Sequence, residues 1–146
     1  MKHIIFTTFL IVTSTVTAQI QNLPTLPALS FDECIVLTRD SIDGEFNNEI
    51  LFTGSGAITF YKDSIVLTYA NKWECGKYLI HVTHTEQRRE DNKHVTLYSG
   101  NAEYYDWFCG VQYFENDDGT KDVLLDTEFK DGVSMKRRIY MNLKTK

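Results

Sequence analysis

The residues best suited to chemistry are three cysteines, a loose group of histidines, one glycine-flanked serine and the arginine Arg137. His81 and His84 stand three apart, a spacing that brings imidazoles together on a helix but sends them to opposite faces of a strand. With a turn at Asp91-Asn92, His84 is expected to face Ser99, not His94, so no metal site is assigned. The acidic run Glu115-Asn116-Asp117-Asp118-Gly119 fails the spacing of a calcium-binding helix–loop–helix, because Phe114 and Leu125 stand where acids are required. It reads as a tight hairpin turn. Gly54-Ser55-Gly56 lacks the Gly-x-Ser-x-Gly spacing and the strand-to-helix turn that expose a serine nucleophile. No catalytic residue and no cofactor are assigned.

Two features rise above this background. The expected strand register places Arg137 on an apolar face among Leu125, Met135 and Ile139, and a buried arginine needs an anion. That anion is a ligand's acid group or an internal carboxylate, unless the long stem carries the guanidinium to the rim. The second feature is Tyr104-Tyr105-Asp106-Trp107-Phe108 together with Tyr113-Phe114, which puts aromatics on both faces of a strand. Tyr105, Trp107 and Tyr113 are expected to point with the core and, beside Arg137, to line a ligand site. Tyr104, Phe108 and Phe114 then point outward, where aromatics stack on sugars or anchor a protein partner, unless the leader from Leu23 to Leu29 folds over them. The cover is the preferred reading.

The elements that must position these groups are strands. From Phe31 onward apolar and polar residues alternate with period two between Gly, Asp and Asn punctuation, and no amphipathic helix of three turns occurs. Eight strands are predicted: 34–39, 49–62, 64–70, 77–88, 94–100, 103–115, 120–129 and 133–143. Ile50, Phe52, Gly54, Gly56, Ile58 and Phe60 keep one phase across two glycines, which predicts one long strand bent at a corner. A two-residue turn at Lys62-Asp63 pairs Phe60 with Ile65, Ile58 with Leu67 and Gly56 with Tyr69. Asp117-Asp118-Gly119 as a three-residue turn sets Val111 against Leu125, Tyr113 against Val123 and Glu115 against Lys121. The same rule at Lys130-Asp131-Gly132 pairs Leu125 with Arg137 and Asp126 with Lys136. It is preferred because a two-residue turn would oppose Leu125 to Arg138. An eight-stranded antiparallel meander with one apolar face and a glycine corner favours an up-and-down barrel, with a β-sandwich as runner-up.

The N-terminus reads as an export signal: Lys2, a short apolar core from Ile4 to Val12, and Val16 and Ala18 placed for cleavage after Ala18. The core is shorter than the ~20 residues a membrane helix needs, no cysteine follows it for lipid attachment, and the tail Asn142–Lys146 is not apolar. The expected organisation is a signal over 1–18, an extended leader over 19–30 and one β domain over 31–146. The mature chain would be secreted or periplasmic, with no stable membrane anchor. Its 14 basic and 20 acidic residues give a net charge of −6, and its basic runs Arg88-Arg89 and Lys136-Arg137-Arg138 have acids close by in sequence, which disfavours nucleic acid. In an oxidising compartment Cys34, Cys75 and Cys109 can form one disulfide in three ways and leave one thiol over.

An eight-stranded meander behind an export signal resembles the lipocalin type of ligand-binding barrel in architecture, without that family's early Gly-x-Trp. Arg138-Ile139-Tyr140 resembles the Arg-x-Tyr near the end of intracellular fatty-acid-binding proteins, where the pair holds a carboxylate. The expected register turns Arg138 and Tyr140 outward, so that role is not carried over. The favoured function is a non-enzymatic binding protein with a small apolar or amphipathic ligand inside the barrel. The alternatives are a secreted protein- or glycan-recognition or inhibitor module, and a small extracellular hydrolase that needs a histidine, an acid and Ser55 or a free cysteine side by side.

Overall fold

The computed structural model describes residues 25–39, 44–70, 75–103, 107–128 and 134–145. The signal, its cleavage point, Leu23, Tyr104, Tyr105 and the Lys130-Asp131-Gly132 turn lie outside the described residues. Among the described residues all regular secondary structure is strand: β1 (Leu29–Arg39), β2 (Asn47–Phe60), β3 (Ser64–Ala70), β4 (Cys75–Glu90), β5 (Lys93–Ala102), β6 (Phe108–Asn116), β7 (Lys121–Glu128), β8 (Met135–Tyr140) and the short β9 (Lys144–Thr145). Each strand from β2 to β7 pairs antiparallel with the next, and β1 pairs with both β8 and β2. The first eight strands therefore form a hydrogen-bonded ring, and β9 adds to the start of β1.

Three hairpins have the register that turn chemistry predicts. Phe60 faces Ile65, Ile58 faces Leu67 and Gly56 faces Tyr69. His84 faces Ser99. Val111 faces Leu125, Tyr113 faces Val123 and Glu115 faces Lys121, with Gly119 in the left-handed region at φ 86°. These pairings line up the inward side chains Ile58, Phe60, Ile65, Ile80, Val111 and Val123, all nearly inaccessible to water. Burying such a set is the main drive to close the sheet, at roughly 25 cal/mol per Å² of apolar surface.

Two expectations are corrected. The first strand begins at Leu29, five residues earlier than its pattern suggests. Its buried side chains are Leu29 and Phe31, then Cys34 and Val36, and the ladder to β2 is irregular between Phe31 and Glu33, so the alternation that reveals a strand changes phase there. Leu29, read as leader, is a core residue at 1% exposure, and Leu26 packs against the same core. Thr25 and Leu26 thus sit at one end of the ring, held by a hydrogen bond from the Thr25 amide to the Phe60 carbonyl at 2.7 Å. The leader does not cover the outward aromatics by these residues, and Phe108 is 50% exposed.

The second correction concerns the last hairpin. Leu125 faces Arg138, Asp126 faces Arg137, Thr127 faces Lys136 and Val123 faces Tyr140, one residue away from the apolar-matched register. A one-residue slip exchanges the faces of a strand. Lys136, Arg138 and Tyr140 therefore point into the ring, and Met135, Arg137 and Ile139 point out.

The glycines do close-approach work. A methyl at Gly56 would collide with the Phe31 ring and lie 2.5 Å from the Thr68 carbonyl oxygen, and one at Gly76 would lie 2.6 Å from the Tyr69 hydroxyl. Tyr69 thus lies over Gly76, directly across in β4, while Gly56 receives Phe31.

Candidate functional site

The interior is filled around Phe60 near one end of the ring and hollow toward the other. Near the leader, Phe60 fills the interior with Tyr98 and Tyr113 tilted against it, ring centroids 5.3 and 5.5 Å away. Toward the end where β1 runs into β2, β3 into β4, β5 into β6 and β7 into β8, the interior opens into a cavity of about 460 Å³. That is within the ~300–1,000 Å³ of small-molecule sites.

The wall is built by alternation. On β8, Lys136, Arg138 and Tyr140 all point inward because they are two apart. On β3, Leu67 and Tyr69 do the same, and β1 contributes Phe31, Cys34 and Val36. Tyr78 of β4 and Trp107, just before β6, complete one side. The apolar and aromatic groups are thus interleaved with three cations, Lys77, Lys136 and Arg138, and three phenols.

Burial dominates the electrostatics. Tyr140, 2% exposed, lies tilted against Phe31 with ring centroids 4.7 Å apart and hydrogen-bonds with the Cys34 thiol, and desolvation holds its phenol well above the ordinary tyrosine range. Tyr78 is raised by desolvation and by its hydrogen bond with the Cys109 thiol at 3.7 Å. Burial raises both thiols as well. Lys136 is lowered, first by desolvation and then by the neighbouring positive charge of Arg138. Arg138 sits between Val36 and Leu125, both buried. The ion pairs among the described residues join Arg88 and Lys93 to Glu90, Arg89 to Asp117, Lys121 to Glu115 and Arg137 to Asp126, and none involves Arg138.

The residues singled out from sequence are scattered. Arg137 faces outward, in a two-pronged pair with Asp126 at 2.8 Å and with its guanidinium 4.1 Å above the Phe46 ring. Its internal carboxylate is therefore found on the outer wall. Trp107 lines the cavity, half-buried, whereas Tyr113 is buried against Phe60 at the packed end. Tyr104 and Tyr105 lie outside the described residues. Phe108 is exposed, and Phe114 carries the Lys93 ammonium 4.6 Å above its ring. Ser55 lies across from Ala70.

The expected disulfide is also corrected. Cys34 and Cys109 are free, buried thiols, each engaged by a different tyrosine, Tyr140 and Tyr78. The Cys75 side chain lies outside the description. The sequence reading missed Lys136, Arg138, Tyr140, Tyr69 and Tyr78, although Arg138-Ile139-Tyr140 carried a usable signal in its two-residue spacing.

A second depression, about 650 Å³, lies at the packed end beside Leu26, Gln87, Arg88, Arg89 and His94. Its arginines are already paired, Arg88 with Glu90 and Arg89 with Asp117, so it holds no unmatched charge of theirs. No family model, curated protein or solved structure matches the chain.

Proposed function

We propose that the chain is an exported, non-enzymatic binding protein that takes a small amphipathic anion into the hollow end of its ring. The observation that carries this reading is Arg138, a cation aimed into an aromatic cavity with no carboxylate paired to it among the described residues. A half-buried charge without a counter-charge is costly, and an entering acid group offsets that cost. Lys136 adds a second donor, and the hydroxyls of Tyr69 and Tyr78 can complete the shell. Phe31, Leu67 and Trp107 offer contact to an apolar body.

The test is native mass spectrometry of the mature protein, alone and with two dyes of nearly the same aromatic body: anilinonaphthalene sulfonate, which carries an acid, and phenylnaphthylamine, which does not. A co-purified adduct lost on denaturation, or one-to-one uptake with a clear preference for the sulfonate, is expected. Failure to take up either dye, with no cargo present, would remove the binding-protein reading. Equal uptake of both would keep a cavity ligand and remove the anion.

A further inference from the structure

The ring leaves part of β2 without a neighbour. Residues Ser55–Phe60 of β2 pair with β3, whereas Ile50–Thr53 pair only with β1, so among the described residues one backbone edge of Ile50–Thr53 has no partner strand. The side chains there are Ile50, Leu51 and Phe52, exposed by 52, 57 and 44%. The other overhanging strand, the end of β4, reads Thr83-His84-Thr85-Glu86-Gln87-Arg88-Arg89-Glu90, beyond His81, where its ladder with β3 ends. Charged side chains on an open edge discourage another strand from adding. The β4 edge has that protection, and the three apolar residues of the β2 edge do not.

The outer wall beside this edge is apolar too. Leu51 lies across from Ile35, Ile35 from Ile139, and Ile139 from Leu124, so four paired residues form one row over β2, β1, β8 and β7. The row stops at the open edge.

We infer that a second copy of the chain docks on the β2 edge, strand to strand and antiparallel, about a two-fold axis at Leu51. The segment is complementary to itself in this register. Leu51 meets Leu51 of the other copy, Ile50 meets Phe52 on both sides of the axis, and Glu49 meets Thr53, so no like charges face each other. An axis through Leu51 perpendicular to the sheet keeps both outer faces on one side. The two apolar rows then run end to end, with Leu51 against Leu51 at the join. A two-fold pairing of identical patches is the commonest way for a chain to associate with itself. The inner face gains as well, because Phe52 lines the cavity and would pack against Ile50 of the other copy. This dimer does not depend on the nature of the ligand.

The experiment is sedimentation velocity of the mature protein over a wide concentration range, with wild type, Leu51→Lys, and the single-cysteine additions Leu51→Cys and Ser55→Cys. Leu51 is outward and outside the cavity, so dye uptake and the unfolding midpoint serve as checks that Leu51→Lys is folded. Wild type should shift from monomer to dimer with concentration, and Leu51→Lys should stay monomeric. Under mild oxidation Leu51→Cys should give a covalent dimer, since directly opposed residues lie within the ~4.4–6.8 Å that a disulfide spans. Ser55→Cys should not, because in this register the two positions are eight residues out of step, roughly 27 Å. A wild type that remains monomeric throughout, or a folded Leu51→Lys that dimerises as well as wild type, overturns the inference. So does equal cross-linking of the two cysteine variants.

Discussion

Replacing Arg138 by methionine separates a charge kept for a ligand from a charge kept for the fold. Methionine has a comparable length and fills the space between Val36 and Leu125 without bringing a charge into the ring. A structural arginine, removed from a buried pair, leaves its partner stranded and costs about 3–5 kcal/mol. An arginine with no paired carboxylate costs nothing of that kind, and an apolar replacement is neutral or stabilising, here by about 0–2 kcal/mol in view of its partial exposure. Binding should move the opposite way. A hydrogen bond to a charged group contributes about 1.5–3 kcal/mol, so an acidic dye should lose roughly 10- to 150-fold in affinity. The assay is urea unfolding of the dye-free protein, followed by titration with the sulfonate and its uncharged analogue. The variant should unfold at the same or higher urea, bind the sulfonate far more weakly and bind the neutral dye about as before. A loss of more than about 3 kcal/mol in stability would mean that Arg138 is anchored within the protein, and the anion reading would fall.

Arg137→Ala, on the outer wall, should cost about 0.5–1 kcal/mol in urea unfolding by loss of the Asp126 pair and leave dye affinity unchanged. Gly56→Ala should cost about 2–3 kcal/mol, because the added methyl meets both the Phe31 ring and the Thr68 backbone. Tyr78, Tyr113 and Tyr140 all have raised folded pKa values, Tyr113 to about 12 through burial and the nearby charge of Glu115. Their contribution is fully present below the unfolded value near pH 10 and is lost as pH rises toward the folded values, so urea midpoints should fall steeply above about pH 10, and less so in Tyr140→Phe. Cys34 and Cys109 should resist a thiol reagent in the native protein and react once it unfolds, as peptide mapping would show.

Much of the fold can be read from the chain because most of the ring obeys simple alternation. Ile58, Phe60, Ile65 and Leu67 announce a hairpin whose register the short turn fixes, and Val111, Tyr113, Val123 and Leu125 do the same. The reading fails in two places for physical reasons. Between Phe31 and Cys34 the inward face changes phase, so period two alone cannot carry a strand across it. At β8 the assumption that apolar residues face apolar ones misplaces the strand. The interior there holds Lys136, Arg138 and Tyr140, while Met135 and Ile139 lie on the outer wall. Charge inside the ring breaks the pattern that otherwise reveals the ring, a conflict between local pattern and global fold. Arg137 and Arg138 are adjacent in sequence, yet only the register tells which of them the cavity receives.

The way the ring closes has a consequence for how the protein forms. Every hairpin from β2 to β8 joins neighbours in sequence, but Ile35 and Ile139, paired across the seam, are more than a hundred residues apart, and Leu29 meets Thr145 nearer still to the end of the chain. During synthesis the first strand emerges long before its second partner. The seam can form only when the whole domain is free, and the loop entropy of that step is met before its contacts form. Folding should therefore be slow, on the millisecond-to-second scale of proteins rich in distant contacts, with the meander assembled early and the cavity, whose wall spans the seam from Cys34 to Arg138, completed last.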